Sequence, residues 1–101
     1  MADQRKHFDE GDARVLFSLG RTIVSDAANE TVGWLDIKRA VRRHGSGDWG
    51  EVWSERKKEN DSAVHEGGEV FSIYLSASNI RFCVITDLDR RRTRVVLAEE
   101  R

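Results

Sequence analysis

The chain has 101 residues, of which 39% are hydrophobic and 35% charged, and its net charge is −1. That length and composition specify one globular domain with its own core and exclude a disordered polymer. The single Cys83 and three scattered histidines exclude a disulfide framework and offer no zinc-ligand spacing, so neither metal nor cofactor is expected. No apolar run approaches the roughly 20 residues of a membrane span. The opening MADQRKHFDEGDAR lacks the apolar centre of a signal peptide, so the expected location is the cytoplasm, with no membrane contact.

Residues 1–13 are polar and aperiodic and read as a loose tail, leaving 14–101 as the domain. From Val15 to Val24 the stretch VLFSLGRTIV alternates, placing Val15, Phe17, Leu19 and Ile23 on one face of a first strand, with Gly20 at a bulge. Ser25 and Asp26 suit the start of a short helical turn reaching about Glu30, which Gly33 interrupts. In TVGWLDIKRAVRRHG, the residues Trp34, Ile37, Val41 and His44, with Ala40 beside them, recur at helical spacing on one stripe. Gly45 suits the end of that helix.

HGSGDWGEVW, residues 44–53, then joins two charged helices. Ser54 can cap the second, SERKKENDSAVHEGG, whose apolar side holds only Trp53, Ala63 and Val64. Asn60 falls on that side too and is expected to be a buried polar group bonded to the backbone of residues 46–51. Three alternating segments close the chain at residues 69–76, 80–87 and 93–100. Ser78-Asn79 suits a tight hairpin, and Asp87 to Arg92 suits a longer loop. The expected fold is α+β in the order β-α-α-β-β-β, an antiparallel sheet with a C-terminal three-stranded meander and two helices on one face.

The charges are patchy. Lys38, Arg39, Arg42 and Arg43 stand against the single Asp36 in the first long helix, and RRRTR supplies Arg90, Arg91, Arg92 and Arg94. Residues 51–69 oppose them with six acids against Arg56, Lys57 and Lys58.

FSLGRTIVS, RRHGSGDWGEV, KENDSAVHEGGEVFSIY and VITDLDRRRTRVVLAEE together resemble a family of small uncharacterised bacterial proteins encoded on plasmids and other mobile elements. The resemblance spans residues 16–100 and rests on an H-x-S-G-D-W-G motif at His44 to Gly50, Asn60, an S-x-Y at Ser72 and Tyr74, and V-I-T-[ED]-x-D-R-x-x-T-x-V-L-L at Val84 to Leu97. Cys83 stands where that pattern is often aromatic and Ala98 where it usually has proline, and the helix after the first strand is shorter. The resemblance implies a mobile-element setting and no particular activity.

The glycine-rich stretch reads as a structural corner. His44, Asp48, Trp49, Gly50 and Asn60 each have a packing or turn-forming use there. Read instead as an acid–base or metal cluster, His44, Asp48 and Glu51 have suitable chemistry and no second anchoring motif. Asp87 and Asp89 form a D-x-D pair of a kind that usually makes turns. No catalytic set is expected. The candidates for partner contact are Lys38, Arg39, Arg42, Arg43, Arg90, Arg91, Arg92 and Arg94, against the alternative of a solvated face whose arginine stems cover apolar surface. The expected function is a non-enzymatic accessory module recognising a macromolecular partner, protein rather than nucleic acid because of the acidic balance. The alternative is an RNA-acting protein of the RelE-like toxin type, by analogy of element order and arginines.

Overall fold

The computed structural model describes residues 15–101; the tail expected at 1–13 lies outside the described residues. The architecture is mixed α+β, running β1 (Arg21–Val24), α1 (Asp26–Thr31), α2 (Trp34–Gly45), α3 (Ser54–Glu66), β2 (Val70–Leu75), β3 (Arg81–Thr86), β4 (Arg92–Leu97) and a closing 3₁₀ turn at Ala98–Glu100.

The C-terminal strands form the expected antiparallel meander, with Ser72 opposite Val84 and Val84 opposite Val95. The sheet as a whole differs from the expectation. Its order is β1-β4-β3-β2, and β1 runs parallel to β4, so it is mixed rather than antiparallel. The three helices between β1 and β2 form the crossover that a parallel pair requires, since no tight turn can join parallel strands. The described residues hold three helices rather than two because the turn after Ser25 completes a six-residue α1. Ser25 caps it by accepting the Ala28 N–H at 3.1 Å.

The first strand is also shorter than its alternation suggests. Gly20 has a φ of 63°, and a Cβ there would lie 2.3 Å from the Arg91 carbonyl oxygen. The chain bends at this residue before pairing begins. Ahead of the bend, the Leu16 N–H bonds the Gly45 carbonyl at 2.8 Å and Phe17 turns inward beside His44 and Trp49. Tertiary packing of one aromatic residue overrides the period-2 pattern.

Strand alternation divides the sheet into two faces. Tyr74, Phe82, Val84, Val95 and Leu97 pack against Ala28 and Val32 of the α1 region and Ile37 and Ala40 of α2. Phe71, Cys83 and Ile85 form a cluster on the other face, flanked by Val52 and Val96. A third cluster joins Phe17, Trp49, Ala63 and Val70, and through it α3 reaches the outer side of β2. Trp34 departs from the expected stripe: it is the first residue of α2 and is 69% exposed, because Ile37, Ala40 and His44 carry the buried ridge. Among the described residues no helix is long and apolar enough to cross a membrane.

Candidate functional site

The corner at residues 44–53 closes one edge of the sheet. Its helix ends with Ser46, Gly47 and Asp48 folding back onto the carbonyls of Arg42, Arg43 and His44. Asp48 then takes the Arg43 guanidinium through two bonds of 2.8 and 3.2 Å and accepts the Gly50 N–H at 3.2 Å. The Arg43 hydrogen bond holds the Asp48 carboxyl below the usual carboxylate range, against a smaller opposing effect of burial. Arg43 also lies over the Tyr74 ring at 4.7 Å, and the Tyr74 hydroxyl donates to the Asp48 carbonyl at 2.7 Å. Burial raises the Tyr74 phenol above its ordinary pKa.

Beyond this knot the chain lies against β2 like a fragment of another strand. Glu51 N–H donates to the Ile73 carbonyl at 2.8 Å, and Ile73 N–H donates to the Trp49 carbonyl at 3.2 Å. Gly50 is where the two backbones meet: a Cβ on it would fall 1.9 Å from the Ile73 oxygen. Trp49 is buried and its indole N–H donates to Asp61 at 2.9 Å. Asn60 is fully buried, as expected, but it does not bond to residues 46–51. Its amide pairs with the backbone of Phe71, two residues before Ile73 on the same edge, because α3 runs alongside β2 rather than under the corner.

Inside the corner lies a buried polar chain of which the sequence reading named His44 in the corner and Ser72 in the S-x-Y motif, without joining them. His44 Nδ1 is 2.6 Å from Ser72 Oγ, and its Nε2 is 2.9 Å from Thr86 Oγ1. Thr86 Oγ1 is 2.7 Å from Thr93 Oγ1, which donates to the Leu19 carbonyl at 2.6 Å. A carbonyl only accepts, and each hydroxyl has one hydrogen, which fixes every bond in turn. Thr93 gives its hydrogen to Leu19, so Thr86 must give its own to Thr93. His44 is then protonated on Nε2 and donates to Thr86, and Nδ1 accepts from Ser72. Burial, assisted by the charge of Arg90, holds His44 neutral with a pKa of about 3.

The Ser72–His44 contact has the spacing of a nucleophile and its base. All four side chains of the chain are nevertheless fully buried, with no surface through which a substrate could reach Ser72. The network is a fully satisfied polar core, whose role is to fix one packing arrangement. A sequence signal existed for it: Ser72, Thr86 and Thr93 share the inward parity of Tyr74, Val84 and Val95 on their strands, facing the helical stripe that ends in His44.

The acid–base reading of His44, Asp48 and Glu51 does not hold, because His44 turns inward, Asp48 binds Arg43 and Glu51 pairs with Arg81 at 3.1 Å. The D-x-D pair does not converge either. Asp87 receives Arg92 at 2.7 Å and Arg94 at 3.7 Å, while Asp89 accepts the Arg91 backbone N–H. Among the described residues no group of three metal-ligating side chains forms.

The basic candidates separate by environment. Arg90 is structural: with a φ of 63° it reaches back to donate to the Ala63 and Gly68 carbonyls at 2.7 and 2.6 Å, closing the end of α3, and it lies over Phe17 at 5.2 Å. Arg43, Arg92 and Arg94 are held by carboxylates. Arg91 projects outward, its side chain 86% exposed. Arg42 is half-buried, whereas Lys38 and Arg39 lie on the exposed side of α2. There Lys38 Nζ is 5.9 Å from the centre of the Trp34 ring, and Leu35 is also exposed. Beside them a groove of about 260 Å³ is lined by Thr22, Val24, Asn29, Trp34, Ile37, Lys38 and Val41. The outer side of α2 is therefore aromatic, aliphatic and basic together.

No family model matches the chain, and no similar protein was found among curated proteins or solved structures.

Proposed function

We propose that the protein is a non-enzymatic accessory module of a mobile genetic element that recognises a protein partner, in regulation or in countering a host defence. The observation that carries the binding reading is the exposure of Trp34 and Leu35 next to Lys38 and Arg39 on α2. Large aromatic and aliphatic side chains are expensive to leave in water, and an exposed apolar patch bordered by polar and charged residues marks an interaction surface. The mobile-element setting rests on the motifs at His44 to Gly50 and Val84 to Leu97.

A pull-down from host lysate with and without nuclease treatment tests this reading. A nuclease-resistant partner, lost with Trp34→Ala and Leu35→Ala combined, supports it. The RNA-acting alternative leans on the arginine run together with the basic face of α2, and most of the run is committed to internal carbonyls and carboxylates. Nucleic-acid affinity is accordingly expected to be no tighter than about 10⁻⁵ M at physiological salt. Submicromolar, salt-sensitive RNA binding abolished by Arg39→Glu with Arg91→Glu would replace the protein-binding reading with the alternative.

A further inference from the structure

The two edges of the sheet are treated differently. On β2 the outward backbone groups of Phe71 and Ile73 are taken by Asn60 and by residues 49–51. On β1, Arg21 N–H bonds the Arg91 carbonyl at 3.0 Å and Ser25 N–H bonds the Val95 carbonyl at 2.9 Å, so the odd-numbered residues face β4. The N–H and C=O groups of Thr22 and Val24 therefore point away from the sheet, and among the described residues nothing pairs with them. An open strand edge is a template for another strand.

We propose that β1 pairs antiparallel with β1 of a second copy of this chain, joining two four-stranded sheets into one. This goes beyond the partner reading above and does not depend on it. The strand is self-complementary in one register. With Ile23 on the two-fold axis, Thr22 lies opposite Val24 of the other copy, and each such pair exchanges two hydrogen bonds. Every outward backbone group of Thr22 and Val24 is then satisfied. Ile23, 40% exposed in the single chain, meets its own copy at the closely spaced non-hydrogen-bonded position.

The charges agree with the same register. It sets Arg21 opposite Ser25 of the other copy. Ser25 donates its hydroxyl to the Glu100 carboxylate at 2.7 Å and is followed by Asp26, so two acids stand at the place Arg21 reaches. Arg21 is exposed and has no carboxylate partner among the described residues. The symmetry repeats this pairing at both ends. Because the axis is perpendicular to the sheet, the α2 faces of both copies lie on the same side.

Sedimentation of the full chain from micromolar to hundreds of micromolar is expected to show a reversible monomer–dimer equilibrium. Thr22→Pro removes an outward N–H without touching the bonds to β4 and is expected to weaken association at least tenfold with the fold retained. Cysteine cross-linking reads the register. Ile23→Cys should form a disulfide with its own copy under mild oxidation, whereas Thr22→Cys should cross-link only when mixed with Val24→Cys. The native Cys83 is buried and does not compete. A chain that stays monomeric throughout, or a dimer that persists in Thr22→Pro while Ile23→Cys fails to cross-link, overturns the proposal.

Discussion

Asn60 pairs with Phe71 as one strand pairs with another: its Nδ2 donates to the Phe71 carbonyl at 2.7 Å while its Oδ1 accepts the Phe71 N–H at 3.1 Å. A primary amide carries the same donor and acceptor as a peptide unit, so one side chain on a helix does the work of a neighbouring strand. Asn60→Leu leaves two buried backbone groups unpaired at about 1–3 kcal/mol each, and a total loss of about 2–6 kcal/mol is expected in denaturant titration. Amide exchange at Phe71 should accelerate in the same variant; unchanged exchange would show that the pairing does not protect this edge.

Gly50 and Gly33 separate backbone strain from collision. Both have positive φ, 72° and 93°, but a Cβ on Gly33 meets nothing within 4 Å. Gly33→Ala is expected to cost about 1–3 kcal/mol and to fold. Gly50→Ala adds a clash with the Ile73 carbonyl that only separation of the corner from β2 relieves, so it should yield little soluble folded protein. Equal melting temperatures for the two variants would remove the close-approach argument.

His44 makes stability depend on pH in a defined window. Its folded pKa of about 3 lies below the ordinary value of 6.5, so the unfolded chain binds a proton that the folded chain refuses. This contribution is complete above the unfolded pKa and is lost as pH falls from about 6.5 towards 3, at up to about 1.4 kcal/mol per pH unit. Asp48, whose carboxyl is held low by Arg43, adds its own loss only as pH falls through the carboxylate range. Denaturant melts at neutral and mildly acid pH should show the decline in the native chain. His44→Asn should be weaker at neutral pH and flatter across that interval, and a native chain with no slope there would contradict the buried neutral ring.

Within the run RRRTR, Arg90 and Arg91 should behave oppositely. Arg90→Ala strips donors from the Ala63 and Gly68 carbonyls and uncovers Phe17, for an expected loss of about 2 kcal/mol. Arg91→Ala, at an exposed position with a carboxylate 4.0 Å away, should fall within about 0.5 kcal/mol of the native chain. Comparable losses would mean that the run acts as one solvated block.

The parts legible in the sequence were those set by local pattern. The meander followed from alternation and turn residues, and the burial of Trp49 from its place among Gly47, Asp48 and Gly50. The pairing of β1 with β4 was not legible, because it joins residues some seventy positions apart and four residues carry no register signal. Phe17 misled for a related reason: its alternation is compatible with a strand, and only the pocket beside His44 and Trp49 turns it inward. Arg90 looked like its neighbours until the carbonyls at the end of α3 were in place.

The β2 edge, covered at Phe71 and Ile73, limits how far such molecules can grow. VFSIYL has the apolar, uncharged, proline-free character of segments that stack into fibrils. With one side closed, the molecule resembles a chain terminator in polymer chemistry: it has a single reactive end, and one addition there completes the product. Removal of Asn60, or crowding of Gly50, makes it bifunctional and turns a self-limiting association into an open-ended one. Those variants are therefore expected to lengthen into fibrils as well as to melt earlier, while a variant weakened in the opposite half of the sheet is not.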